Sequence, residues 1–196
     1  MSVLVYTENW DGKFKKLSFE LVSYATKVAE MAGTSVTAVS IGSVDEVELN
    51  KLGNYGASKV IKVENNSLSV LDNQAYSNIL AQVVKAEGSN VIIISNNNAG
   101  KAIAPRLSVK LKAAVGAGVI NPPVSIDPFT ITKKVFSGKA FANVVLKSEV
   151  KILTLTQNSF DVIETGGTAT IESFAAEIDD ICRRIRCSRW GYDNRC

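Results

Sequence analysis

Two short segments hold the side chains best placed for chemistry: TENW at 7–10 and SNNNAGK at 95–101. Each follows a strand-like apolar run. In an open α/β sheet, ligands bind beyond the carboxyl ends of strands, where the strand order reverses. SNNNAGK is polar and opens a helix, so backbone N–H groups around Asn98 and Gly100, with Lys101 beside them, could hold an anion or a partner's carboxylate. The plainer reading is a loop and cap that begin a helix, and a lone Gly-Lys is weak beside a full phosphate loop. Arg106, the one arginine before residue 182, could fix an anion or pair with an acid; residue type alone favours neither.

The residues that are missing narrow the chemistry further. The chain has no histidine, and residues 1–181 have no cysteine. Ser-His-Asp and Cys-His catalysis, histidine metal sites and imidazole proton transfer are therefore excluded within this chain, and no catalytic residue is assigned. GxxxxGK[ST] does not occur, nor does GxGxxG between a strand and a helix. GAGV (116–119) reads as the terminator of the preceding helix. Asp45, Glu46 and Glu48 sit on a short helical stretch and read as a solvated face.

The final stretch, CRRIRCSRWGYDNRC (182–196), is unlike the rest. It holds all three cysteines and five of the six arginines. Its C-x4-C-x8-C spacing supplies three sulfurs and no histidine, where a structural zinc site wants four ligands, so no metal is expected. The net charge of +3 comes wholly from this tail, because residues 1–181 hold 17 basic against 18 acidic side chains. A near-neutral body with dispersed lysines shows no phosphate-tracking stripe, so no nucleic-acid partner is expected.

The elements that must position these segments are legible as alternating strands and helices. SVLVY (2–6) reads as a strand covered on both faces. In KLSFELVSYATKVAEMAG, Leu17, Leu21, Tyr24, Val28 and Met31 share a helical face and Gly33 stops the helix. SVTAVSIG (35–42) is strand-like, residues 44–53 form a short helix, and SKVIKVEN (58–65) is a third strand. Asp72 caps a helix in which Tyr76, Ile79, Leu80 and Val83 share a face, ended by Gly88. NVIIIS (90–95) is a fourth strand, and a helix is predicted over 100–115. The order βαβαβαβα predicts a three-layer α/β/α domain with a mainly parallel, Rossmann-like sheet. Beyond NPPVSIDP (121–128), FTITKKVF and AFANVVLK flank SGK (137–139) as a hairpin. VKILTLT (150–156) is a strand that rejoins the sheet, and ETGGTATIESF (164–174) is an exit segment.

At 196 residues, with 46% apolar and 21% charged side chains, one ordinary globular domain is expected. No apolar run is long enough to cross a membrane. The N-terminus has no basic start and reads as a strand rather than a leader, so a cytoplasmic location is expected.

Three stretches carry a resemblance. VLVYTENWDGKFKKLSFELVSYATKVA (3–29) resembles the opening strand, acidic loop and long helix of the electron transfer flavoprotein α subunit. GKAIAPRLSVKLKA (100–113) is similar to that family's Gly-Lys…Ala-Pro-Arg…Leu helix. FSGKAFANVVLKSEVKILTLTQNSF (136–160) resembles its hairpin and returning strand, although TQNSF stands where the family has an Arg-Pro stretch. The resemblance identifies residues 1–178 as the subunit's N-terminal α/β domain. It implies an electron-carrier subunit rather than an enzyme, paired with a β subunit and shuttling electrons from dehydrogenases to a quinone oxidoreductase. It also implies an adenine nucleotide hydrolase-like fold, with FAD held in the full-length protein mainly by a second domain that is absent here. No FAD contact is therefore carried over, and no bound cofactor is expected. The alternative is a stand-alone adenine-nucleotide-binding module of the universal-stress type, using the crevice between 7–10 and 95–101. The tail, 179–196, falls where the linker to the flavin domain should run, and is expected to be disordered and either frame-shifted or foreign.

Overall fold

The computed structural model describes residues 2–64 and 72–177. The Arg- and Cys-rich tail lies outside the described residues. Strand β1 (Val3–Thr7) is buried along its whole length, as is β4 (Val36–Ile41). Between them, α1 (Lys16–Ala32) ends at Gly33 in the left-handed region, a conformation that costs glycine little and other residues more. Leu21, Tyr24 and Val28 are buried as the helical period requires, whereas Met31, in the last turn, stays 41% exposed. Helix α2 (Glu46–Gly53) and strand β5 (Lys59–Val63) follow.

Helix α3 (Asn73–Glu87) begins where Asp72 accepts hydrogen bonds from the N–H groups of Gln74 and Ala75, satisfying two donors that have no partner inside the helix. Gly88 ends it, and β6 (Val91–Ser95) is wholly buried. Helix α4 covers Asn98–Leu111, with Pro105 inside it.

The chain then departs from expectation. Lys112 adopts φ 51° and stops the helix, and Ala114–Val119 forms strand β7. GAGV is thus part of a strand rather than a helix end. At Gly116 a Cβ would run into Ile131 Cδ1 and come within 3.1 Å of Leu153 Cδ2, so a larger residue there would require those side chains to shift.

Strand β9 (Phe129–Val135) and β10 (Ala140–Val145) form the expected hairpin around a single turn at Phe136–Gly138. A two-residue strand, β8 (Ser125–Ile126), pairs with the start of β9. Strand β11 (Lys151–Leu155) returns to lie between β6 and β7, parallel to both. The stretch read as an exit instead supplies β12 (Thr170–Ser173), which adds parallel to β5 at the far edge. The sheet order is β10-β9-β7-β11-β6-β1-β4-β5-β12. Its strands are parallel from β7 to β12, and the hairpin runs antiparallel at one end.

Two apolar layers flank the sheet. On one face, Val3, Val5 and Val60 pack with Leu21 and Tyr24 of α1 and Leu49 and Leu52 of α2. On the other, Leu4, Val39 and Ile92 pack with Ile79 and Leu80 of α3 and Ile103 and Leu107 of α4. Each fully buried Leu or Ile contributes roughly 1.5–3 kcal/mol. This is the three-layer, mainly parallel α/β arrangement that the sequence predicts.

One buried charge ties the layers together. Glu20 of α1 is 1% exposed and its carboxylate accepts from the backbone N–H groups of Asn158, Ser159 and Phe160, at 3.1, 2.9 and 3.1 Å. Three donors on one carboxylate offset its desolvation and fix the turn that follows β11.

Candidate functional site

From β1 the chain crosses through α1 to β4 and on to β5, then returns by α3 to β6 on the other side of β1. The strand order therefore reverses between β1 and β6, and the segments leaving their carboxyl ends diverge. A crevice of about 660 Å³ opens there, between the turn after β1, the turn after β4 and the start of α4. This is the position that strand topology assigns to a ligand, and the volume lies within the common range for such sites.

The turn after β1 is shaped by a two-stranded ribbon, β2 (Asn9–Trp10) against β3 (Lys13–Phe14), joined through Asp11 at φ 48° and Gly12 at φ 74°. It is anchored from below, because Asn9 Nδ2 donates to the Ile41 carbonyl at 2.8 Å. Ser18 Oγ donates to the Glu8 carbonyl at 2.7 Å. At the rim, Trp10 is 60% exposed and Lys15 Nζ lies 4.1 Å from its ring centroid.

Glu8 is the best-held group in the crevice. Its Oε1 accepts from Ser95 Oγ at 2.6 Å and its Oε2 from Asn97 Nδ2 at 2.7 Å. Asn97 in turn caps α4, its Oδ1 accepting from the Gly100 N–H at 2.8 Å. A continuous chain of hydrogen bonds thus runs from the end of β1 to the first turn of α4. Behind it, Tyr6 and Tyr76 meet edge to face, with ring centroids 6.2 Å apart. Burial, then the nearby Glu8 carboxylate, push the Tyr6 phenol well above its ordinary value.

Of the residues singled out from sequence, Asn98 lines the crevice. Gly100 is buried behind it. A Cβ there would overlap the Ser95 carbonyl oxygen and lie 2.9 Å from that carbonyl carbon and 3.2 Å from Ile94 Cγ2. Gly100 is therefore required by the close approach of α4 to β6, and its N–H is committed to Asn97. The Lys101 N–H is likewise bonded to the Asn97 carbonyl at 2.9 Å, and its side chain is exposed outside the crevice lining. Arg106 is exposed and turned back on its own helix, its Nη1 donating to the Ala102 carbonyl at 2.8 Å. The structure thus brings Asn98 together with Glu8 and Asn97, and leaves Lys101 and Arg106 apart from them. Glu8 was signalled only as the acid of TENW; its partners lie 87 and 89 residues away.

The sequence matches the electron transfer flavoprotein domain over residues 3–179. The chain belongs to the electron transfer flavoprotein family. It is similar to the electron transfer flavoprotein subunit alpha of Bacillus subtilis, with 25% identity over 91% of this chain and 55% of the relative. The subunit of the same name from Syntrophomonas wolfei is 26% identical, over 93% of this chain and 57% of the relative. The acryloyl-CoA reductase electron transfer subunit beta of Anaerotignum propionicum is 27% identical, over 81% and 43%. The chain spans about half the length of the curated relatives it matches.

FAD, the family's flavin, carries a diphosphate. The crevice lining includes Glu8 and Asp11 and no lysine or arginine, so a dinucleotide would bring its anions against two carboxylates, with Lys15 over the Trp10 ring at the rim as the neighbouring cation. The residues of this electron transfer flavoprotein domain do not fit FAD at the crevice. Among the described residues no helix is long and apolar enough to cross a membrane, and no cluster of acids or cysteines is arranged to hold a metal.

Proposed function

We propose that this chain is the N-terminal α/β domain, residues 1–178, of an electron transfer flavoprotein α-type subunit. It serves as a scaffold that pairs with a β-type subunit and holds no flavin itself. It is a carrier component rather than an enzyme, and the pair passes electrons from dehydrogenases to a quinone oxidoreductase in the cytoplasm. The family membership and the α-subunit relatives support this reading, as does the poor match of the crevice to FAD.

The observation that carries the pairing is the outer face of the hairpin end of the sheet. Strand alternation and the β9–β10 register put Phe141, Asn143 and Val145 on one face with Thr130, Thr132 and Lys134. Phe141 is 66% exposed, and Val145 and, on β7, Val115 are also exposed there. Phe136 stands out at the tip, 79% exposed, on a backbone with φ 50°. Residues 129–147 contain four lysines and no acid. An apolar surface with a basic rim suits a partner surface that is apolar at its centre and acidic around it.

The test is binding of a β-type electron transfer flavoprotein subunit to the chain and to Phe141→Asp, followed by titration calorimetry. Asp at an exposed position leaves the fold intact, which circular dichroism checks. The reading requires at least a tenfold loss of affinity in the variant. Unchanged affinity would move the interface elsewhere.

A further inference from the structure

The crevice remains unused by the scaffold role, and its walls differ in kind. One side is aromatic: Tyr6 and Tyr76 at the back and the exposed Trp10 at the rim. The other is a carboxylate held in place at both oxygens by Ser95 and Asn97. Each oxygen of Glu8 takes one hydrogen bond from the protein, and a carboxylate oxygen can accept two. Among the described residues one acceptor site per oxygen is therefore left, enough for two hydroxyl groups.

Charge selects among the ligands that this geometry could take. Glu8 and Asp11 both line the crevice, and no lysine or arginine does. Of the first-turn N–H groups of α4, those of Gly100 and Lys101 are already bonded to Asn97, which leaves those of Asn98 and Ala99 as the only partial compensation that turn offers among the described residues. A phosphate here would face two carboxylates in a partly enclosed site, where like charges repel more strongly than in water. An uncharged ligand meets no such penalty.

We propose that the crevice binds an uncharged ribonucleoside, its planar base against the aromatic wall and its 2′,3′-diol on the Glu8 carboxylate, and that it discriminates against the corresponding nucleotides. The exposed ring of Trp10 supplies stacking for a base, with the buried Tyr6 and Tyr76 behind it, and hydrogen bonds to an ionised carboxylate are among the stronger polar contacts. Asn97 links the site to the α4 cap, so an occupied Glu8 also steadies the first turn of that helix.

Titration calorimetry on the 196-residue chain with adenosine, 2′-deoxyadenosine, AMP and glucose separates the components. Adenosine is expected to bind one to one. 2′-Deoxyadenosine and AMP should each bind at least tenfold more weakly, the first for loss of a charge-assisted hydrogen bond and the second for repulsion. Glucose should give no saturable heat. In Glu8→Gln the adenosine preference over AMP should shrink to threefold or less. AMP binding as tightly as adenosine overturns the proposal, as does 2′-deoxyadenosine binding equally well or the absence of adenosine binding at millimolar concentration. The four-ligand comparison on the unaltered chain decides the matter even where the variant fails to fold.

Discussion

Gly100→Ala places a methyl group at the tightest contact between α4 and the sheet. The added Cβ would overlap the Ser95 carbonyl oxygen, with the carbonyl carbon only 2.9 Å away. The obstacle is the backbone of a fully buried central strand, so it cannot swing aside as a flexible side chain would, and α4 must lift off β6 at its first turn. Overpacking of this kind costs about 1–3 kcal/mol. Lifting the turn also breaks the Asn97 cap on the Gly100 N–H, for about 1 kcal/mol. Replacing glycine by alanine inside a helix returns about 1 kcal/mol. The net loss is about 1–3 kcal/mol, which lowers the melting temperature by about 2–12 °C in a domain of this size. Urea unfolding followed by circular dichroism measures it, with Gly88→Ala as the control. At Gly88 a Cβ meets nothing within 4 Å but φ is +60°, so only the backbone term of about 1 kcal/mol is lost. A Gly100→Ala variant as stable as the unaltered chain would refute the close-approach argument.

Three further outcomes follow from other contacts. Glu20→Gln leaves one acceptor oxygen and adds a donor opposite three backbone N–H groups, so a loss of about 1–3 kcal/mol is expected in chemical unfolding, with faster amide exchange at residues 158–160. Alkali should destabilise the domain. Burial raises the phenols of both Tyr6 and Tyr24 above their ordinary value of 10.0, so above that value the unfolded chain gives up protons that the folded chain keeps. Stability is therefore full below pH 10 and falls above it, by up to about 2.7 kcal/mol per pH unit for two such groups; unfolding free energy between pH 8 and 11 checks this, and a flat profile contradicts it. At the β12 edge, Lys59 bridges Glu172 at 2.8 Å and Glu87 at 2.9 Å, and its ammonium is raised above 10.5 by hydrogen bonds first to Glu172 and then to Glu87. Lys59→Met should loosen β12, read as faster amide exchange at 170–173, and the difference from the unaltered chain should vanish as pH rises through that raised value.

How far the sequence alone reached depended on whether each element carried its own signal. Helices α1 and α3 were legible because apolar side chains recur at the helical period and Gly33, Asp72 and Gly88 mark their ends. Strands β1 and β6 were legible as unbroken apolar runs, which both-face burial demands. Strand β7 was not: Ala114, Gly116, Ala117 and Gly118 show no apolar alternation, and at Gly116 a Cβ would meet the Ile131 and Leu153 side chains. Nothing local to Thr170–Ser173 announces β12, whose partner β5 lies more than a hundred residues earlier and whose approach depends on Gly53, where a Cβ would come within 2.5 Å of the Ala169 nitrogen. The site divided the same way. Topology placed the crevice at the turns after β1 and β6, but the pairing of Glu8 with Ser95 and Asn97 is a long-range fact that no motif encodes. Lys101 and Arg106 drew notice as the cations of a short window, and their exposure removes them from the lining.

The most direct test of the scaffold role is to purify the chain alone and together with the β-type electron transfer flavoprotein subunit, and to measure mass by light scattering and flavin by visible absorbance. The chain alone should be colourless, and the mixture should elute as a one-to-one complex. Stoichiometric flavin retained by the chain alone, or no complex at tens of micromolar, would contradict the account.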